Sequence, residues 1–294
     1  MLILLVLLSA SGAARGDVFL DGMLSSGWED NVPRGFLEVD RQGSAVLAGL
    51  ATAGQVYQPL INTTVVVSAS AGYHRFLGNS GFNRFSAGLA LGVTQKFGLG
   101  PYSPRLGLSL SGDRDLLRGQ ERDRDLYNLE LTFAKRLSQS WEMTLGMGEE
   151  TSRGLSENPV DFTRLPYIPG VTRPTDPMDY YNDVYFATLD YEFANGWLLS
   201  TAYRFTDGYI VASSVPPVQE QFLNAKAVAL DPAFRQPRLL YLLKTDTDAW
   251  STTLSVPTGA DTAVDFDLAW QGIEAPKVGK YRNAQFSVNL IHRF

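Results

Sequence analysis

The last nine residues of the chain, Phe286-Ser-Val-Asn-Leu-Ile-His-Arg-Phe294, set apolar side chains at Phe286, Val288, Leu290 and Phe294, with polar Ser287, Asn289 and Arg293 between them. Successive side chains of a strand point to opposite faces, so this spacing gives one apolar face, one wet face and an aromatic end. Such a segment must lay its apolar face against a protein core or against lipid.

The alternation recurs from end to end. Val65, Val67, Ala69, Ala71 and Tyr73 form one series, and Phe85, Ala87, Leu89, Leu91 and Val93 the next. Leu106, Leu108 and Leu110 follow, then Tyr127, Leu129, Leu131 and Phe133. Further series begin at Trp141, Tyr185, Trp197, Trp250 and Val264, and two more strands start the chain near Val18–Ser26 and Ser44–Ala53. The opposite faces are small or polar, as at Ser68, Ser70, Gly88, Gly92, Ser109, Ser111, Asn128 and Glu130. A soluble sandwich would hide the apolar face, whereas a membrane barrel turns the same pattern outward.

Two features favour the barrel. Aromatic residues gather at the ends of the apolar faces, among them Tyr73, Phe85, Phe97, Trp141, Phe193, Trp197, Trp250 and Trp270; rings at these depths suit membrane interfaces. The connections also alternate, short at 98–104, 135–140, 194–196 and 257–262 and long at 28–42, 114–124, 152–182 and 207–247. The expected fold is therefore all-β: a transmembrane antiparallel up-and-down barrel of about twelve strands, within ten to fourteen, with short periplasmic turns and long external loops.

The remaining composition mostly excludes. A formal net charge of −6 argues against nucleic acid, and the absence of cysteine removes disulfides and thiol chemistry. There is no metal-ligand spacing, phosphate-cradling loop or nucleophile elbow, and the only histidines are His74 and His292. Accordingly no catalytic, metal-binding or cofactor-binding residue is assigned. Met1–Leu8 is wholly apolar and is followed by Ser-Ala-Ser-Gly-Ala-Ala. That stretch is far shorter than a helical membrane span of roughly 20 residues. It reads as a secretory signal over residues 1–13, leaving 14–294 as one barrel domain.

Signal, alternating strands and terminal aromatic together resemble the β-barrel proteins of Gram-negative outer membranes over the whole mature chain. The positions Phe286, Val288, Leu290 and Phe294 resemble the terminal assembly signal of that class. The resemblance implies a monomer in the cell outer membrane, in contact with lipid and lipopolysaccharide and folded by the barrel assembly machinery. A second resemblance, carried by Leu24-Ser-Ser-Gly-Trp-Glu-Asp-Asn-Val32, is to the barrel domains of surface lipoprotein assembly and secretion proteins. No helical-repeat domain precedes it here.

By parity, Glu130, Glu142, Glu150, Asp190, Glu192, Asp265 and Asp267 face the lumen, with Lys96, Arg204 and Arg293 as counter-charges. Asp265 or Asp267 is expected to approach Arg293. These charges read either as a cation-favouring mouth or as ion pairs filling a narrow barrel. In the loop 113–125, Arg114, Arg118, Arg122 and Arg124 could meet lipopolysaccharide phosphates, or the hairpin tip could be stitched by its own ion pairs. The loop 152–182 carries five prolines and reads as stiff. In the loop 207–247, Val218–Leu230 is expected to form a short helix with Phe222, Ala225 and Ala229 on one face. That loop is long enough to enter the barrel, lie over its mouth or pack on its neighbours. The leading expectation is a porin-like channel for small hydrophilic solutes with a mildly acidic lumen. The alternatives are a closed barrel serving surface assembly, export or adhesion, and a lipid- or glycan-active enzyme.

Overall fold

The structure, a computed structural model, describes residues 16–118, 122–155, 176–215, 219–231, 233–234, 236 and 238–294. The signal-like segment, Pro159, Pro166, Pro169, Pro174 and the Pro216–Pro217 pair lie outside the described residues. The alternating segments form strands β1 (Asp17–Glu29), β2 (Ser44–Leu60), β3 (Thr63–Phe76), β4 (Arg84–Lys96), β5 (Arg105–Leu117), β6 (Arg124–Arg136) and β7 (Trp141–Gly154). They continue as β8 (Tyr180–Glu192), β9 (Leu198–Ser214), β11 (Leu239–Pro257), β12 (Thr262–Ala275) and β13 (Gly279–Arg293). A helix α1 (Gln219–Asn224) and a four-residue strand β10 (Ala227–Leu230) lie between β9 and β11.

Each ring strand pairs antiparallel with the next one along the chain, β9 skipping β10 to pair with β11 over the span from Ser214–Leu239 to Leu198–Ser255. The ring closes where β1 meets β13, from Asp21–Arg293 to Glu29–Gln285. Of thirteen strands, β10 sits on β11 outside the ring, so the barrel has twelve. Closure gives every strand two partners and leaves no edge in the ring, a condition any spanning sheet must meet in lipid.

The expected faces hold. Leu24, Leu89, Leu110, Met147, Trp250 and Leu268 point outward and are 51–66 % exposed, while Ser25, Ser109, Glu130 and Asp267 point inward. A belt of leucine exposed to that degree is unsuited to water and matches a lipid-facing surface. Aromatic pairs bracket it. Tyr73 faces Phe85, Trp28 faces Phe286 and Trp250 faces Trp270 near one rim. At the other rim Trp141 packs on Tyr191 with centroids 4.6 Å apart, beside Phe193. Just beyond the first ring the register aligns outward carboxylates on five neighbouring strands: Glu149, Asp183, Asp207, Asp246 and Glu274. Like charges directly opposite repel; Lys244 on Asp207, and Lys280 on Glu274 at 2.5 Å, offset part of that cost. This charged row ends the apolar belt.

The twelve ring strands are 13 to 19 residues long, more than the roughly 9–11 needed to span a bilayer. The excess is greatest in β11, at 19 residues, followed by β9 and β2 at 17 each, and in β9 and β11 it lies at the rim that carries the long connections. There the buried apolar core gathers: Tyr241, Leu240, Leu242, Leu243 and Val228 are at most 1 % exposed. The reason is an edge. Strand β12 leaves β11 above Asp246, so Leu239–Leu242 would present unpaired backbone on that side. Strand β10 covers it, pairing Ala227 with Leu242 and Leu230 with Leu239. The expected helix over 218–230 is thus corrected: it stops at Asn224, and Ala229 lies in a strand because the free edge of β11 offers pairing a helix would forgo.

Replacing outward Leu290 by arginine should impair assembly by about 2–4 kcal/mol at mid-depth. Ser109→Arg, placed in the lumen opposite Glu130, should fold nearly as well as the parent. The fraction of heat-modifiable folded band on gels checks both.

Candidate functional site

The extension of β9 and β11, with α1 and β10, forms a lid across the long-loop mouth. One face carries Ile210, Ala212, Val228, Leu239, Tyr241 and Leu243, packed on Ile273 and Tyr281 of the β12–β13 wall. The other carries Val211, Ala227, Ala229, Leu240 and Leu242, packed on Met178 and Tyr180 at the start of β8. Its tip reaches the far side of the ring, where Phe234 packs edge-on against Phe82 of the β3–β4 connection at 5.4 Å. Of the three dispositions expected for this segment, it lies over the mouth and also packs on neighbouring loops.

Two buried ion pairs fasten the tip. Arg122 donates through Nε and Nη2 to the Asp231 carboxylate at 3.0 and 2.7 Å, and also to Ser213 Oγ at 2.6 Å. Arg238 lies 3.6 Å from Asp40, whose side chain is fully buried and accepts from the Val215 N–H at 2.8 Å. Burial alone would push the Asp231 carboxyl up. The Arg122 guanidinium, the Ser213 hydroxyl and the Ala233 N–H outweigh it and hold the group below the ordinary carboxylate range. Asn31 organises the loop that receives the lid: its side chain donates to Gly35 O and accepts from Gly35 N, both at 3.0 Å. The Glu-Asp-Asn-Val segment that resembles secretion-associated barrels therefore has a local task here, since Val32 also packs with Phe82 and Ala233.

The arginine-rich loop splits between two roles. Arg114 points outward and pairs bidentately with Asp125 at 2.7 and 2.8 Å. Arg122 and Arg124 turn inward: Arg122 pairs outside the hairpin, with the lid, which corrects both readings for it, whereas Arg124 pairs within the hairpin on its luminal side. Arg124 binds Asp115 at 3.1 Å and Tyr180 Oη at 2.6 Å. Beneath the lid lies a chamber of about 560 Å³ whose charged wall comprises Glu29, Arg34, Arg84, Arg122, Arg124 and Asp267. Sequence parity missed Arg34 and Arg84 because both stand at strand ends or in loops, outside the alternating windows.

Elsewhere around the lumen several of the expected luminal charges are paired across the wall. Glu130 meets Arg204 at 3.7 Å although their strands, β6 and β9, are separated by β7 and β8. Glu142 is paired by Arg105, and Glu192 by Arg136 at 3.0 Å, each across an intervening strand. Glu150 accepts from Asn182 at 3.0 Å. Asp190 stands directly opposite Glu142 in register. Asp267 accepts from Thr253, Ser287 and Asn289, and Asp265 Oδ1 is buried without a hydrogen-bond partner among the described residues. The expected approach of Arg293 to Asp265 or Asp267 does not occur. Register sets those carboxylates beside Asn289 and Ser287, while closure on β1 brings Asp21 opposite Arg293, and the pair is bidentate at 2.8 and 3.0 Å. His292 bonds Thr262 Oγ1 at 2.8 Å, and His74 lines the chamber opposite Arg84.

No family model matches the sequence, and no curated protein matches it. Among solved structures, the fold is similar to an outer-membrane channel from Pseudomonas putida F1, with a TM-score of 0.57 at 13 % identity over 96 % of this chain and 97 % of that one. Looser likenesses are to the KdgM porin (TM-score 0.46, 9 % identity, 93 % and 99 % covered) and the CymD monoaromatic hydrocarbon channel (0.46, 11 %, 96 % and 89 %). At this identity the first likeness shows a shared fold, that of a bacterial outer-membrane β-barrel, and the looser two add nothing to it.

Removing Arg122 by Arg122→Ala leaves Asp231 as a buried unpaired charge, which costs about 3–5 kcal/mol. Hydrogen exchange at Ala227–Leu230 should rise sharply while β4–β7 stay protected. In the parent, the depressed Asp231 value means the pair's contribution is complete above the ordinary carboxyl value of about 3.9 and is lost as pH falls through the lower folded value. Protection of the lid should therefore persist at pH 5 and fail only below about pH 4.

Proposed function

We propose that this chain is an outer-membrane channel for small hydrophilic solutes, with the long-loop rim external and the lid closing that rim in the state described. The observation that carries the reading is the closed ring itself: an apolar belt outside and, inside, a lumen of small, polar and ionised side chains around a chamber. A barrel serving only as a scaffold has no need of a chamber walled by charge. The C-terminal strand is read by the barrel assembly machinery, and the chain lies among lipid and lipopolysaccharide after removal of its signal. Toward the short-turn rim the lumen favours cations, since Asp190, Asp265 and Asp267, the last of which also lines the chamber, have no cationic partner among the described residues.

The lid is the specific observation that favours the second reading, a closed barrel that works through its loops. Single-channel recording of the refolded mature protein in a planar bilayer under a salt gradient separates the two. Discrete openings with cation preference are expected, with the preference reduced in Asp265→Asn/Asp267→Asn. A folded barrel that never conducts would abandon the channel in favour of the closed reading.

A further inference from the structure

The guanidinium groups of the chamber and their counter-carboxylates are not on the same surface. Asp115, which serves Arg84 and Arg124, has a side chain only 7 % exposed, and Asp231, which serves Arg122, is fully buried. Neither lines the chamber. The carboxylates thus stand behind the wall, and the arginines present donors in front of it. Arg122 is committed bidentately to the lid. Three others keep donors in hand. Arg84 makes one loose ion pair, from Nη1 to Asp115 at 3.7 Å; its Nε is buried without a hydrogen-bond partner among the described residues, and the side chain as a whole is 32 % exposed. Arg124 uses Nε on Asp115 and Nη1 on Tyr180, which leaves Nη2. Arg34, held at φ 56° in the β1–β2 connection, has no ion pair among the described residues.

Guanidinium groups carry five N–H donors each in a planar fork matched to carboxylate and phosphate oxygens. A chamber that turns three such forks toward one space, under a lid that limits water, is built for an anionic group. We propose that the chamber holds a small solute through a carboxylate or phosphate group bound by Arg84, Arg34 and Arg124. This deepens the channel reading and rests on it only for the word solute. The acidic short-turn half acts on mobile ions along the lumen, whereas the arginine wall holds a bound group. His74, Glu29 and Asp267 complete the lining, so an uncharged or hydrogen-bonding remainder fits the rest of the wall better than a second anion does.

The test is calorimetric titration of the purified, folded full-length barrel in detergent at low salt, with inorganic phosphate and with succinate as probes and succinamide as the uncharged control. Saturable binding of at least one anion is expected, with none for succinamide and at least tenfold weaker binding in Arg84→Gln/Arg34→Gln. Preference for phosphate would assign phosphorylated solutes, and preference for succinate carboxylated ones. Should the double variant misfold, Arg34→Gln alone, in a loop position with no ion pair to lose, must weaken binding at least threefold. Failure of the folded parent to bind either anion saturably, or unchanged affinity in the folded variants, would overturn the proposal. Binding in micelles needs no conduction. A silent but anion-binding barrel would therefore refute the channel and keep the subsite, and a conducting barrel that binds no anion would do the reverse.

Discussion

Closure of the sheet between β1 and β13 is the constraint on which everything else rests. A spanning sheet with a free edge would leave backbone N–H and C=O groups facing hydrocarbon, each at several kcal/mol. Closing the ring removes that cost and fixes which face is inside. Once Asp21 is opposite Arg293 and Leu24 opposite Leu290, parity carries around all twelve strands. The outward belt of leucine, valine and aromatic rings and the inward files of serine, glycine and charge follow from that single registration. The row of outward carboxylates at Glu149, Asp183, Asp207, Asp246 and Glu274 follows as well, since it is a line drawn across the register at one height.

Above that row the chain changes its manner of building. Within the belt no side chain needs a protein core, because lipid accepts the apolar face. Beyond it, water returns, and the same apolar residues must bury one another. This is why the buried core collects in the lid and not in the barrel. Each fully buried leucine there contributes about 1.5–3 kcal/mol relative to exposure, on both faces of a sheet three strands wide. The ion pairs at the tip act differently. Desolvated pairs of this kind add little net stability but are costly to break singly, so Arg122–Asp231 and Arg238–Asp40 fix where the tip rests more than how strongly the lid holds.

The fold was legible in the sequence because lipid-facing alternation is a local signal: period two, aromatic ends and uneven connections are all read without knowing any pairing. The lid was legible only in part. Its length and its helix start were evident, but Ala227–Leu230 looks helical until the departure of β12 exposes an edge to cover. Parity separates the luminal charges from the apolar face, yet it does not give their partners. Arg293 and Asp21 are 272 residues apart, and only closure brings them together. Glu130 reaches Arg204 across two intervening strands, a distance set by barrel curvature and not by spacing. The arginine wall was invisible for a related reason. Arg34 and Arg84 lie where alternation stops, and Arg122 and Arg124 sit in a charge-rich loop whose self-pairing, realised at Arg114–Asp125, fits the sequence equally well.

The measurement that bears most directly on the inside-out assignment uses the absence of native cysteine. Single cysteines at Ser109 and at its strand neighbour Leu110 would be placed in the folded protein in lipid nanodiscs and exposed to a small water-soluble thiol reagent. The expected result is ready modification at position 109, in the water-filled lumen, and protection at position 110, in contact with lipid. Ready modification at 110 with protection at 109 would mean that the apolar face is the one in water, and the barrel would be wrong in its first premise.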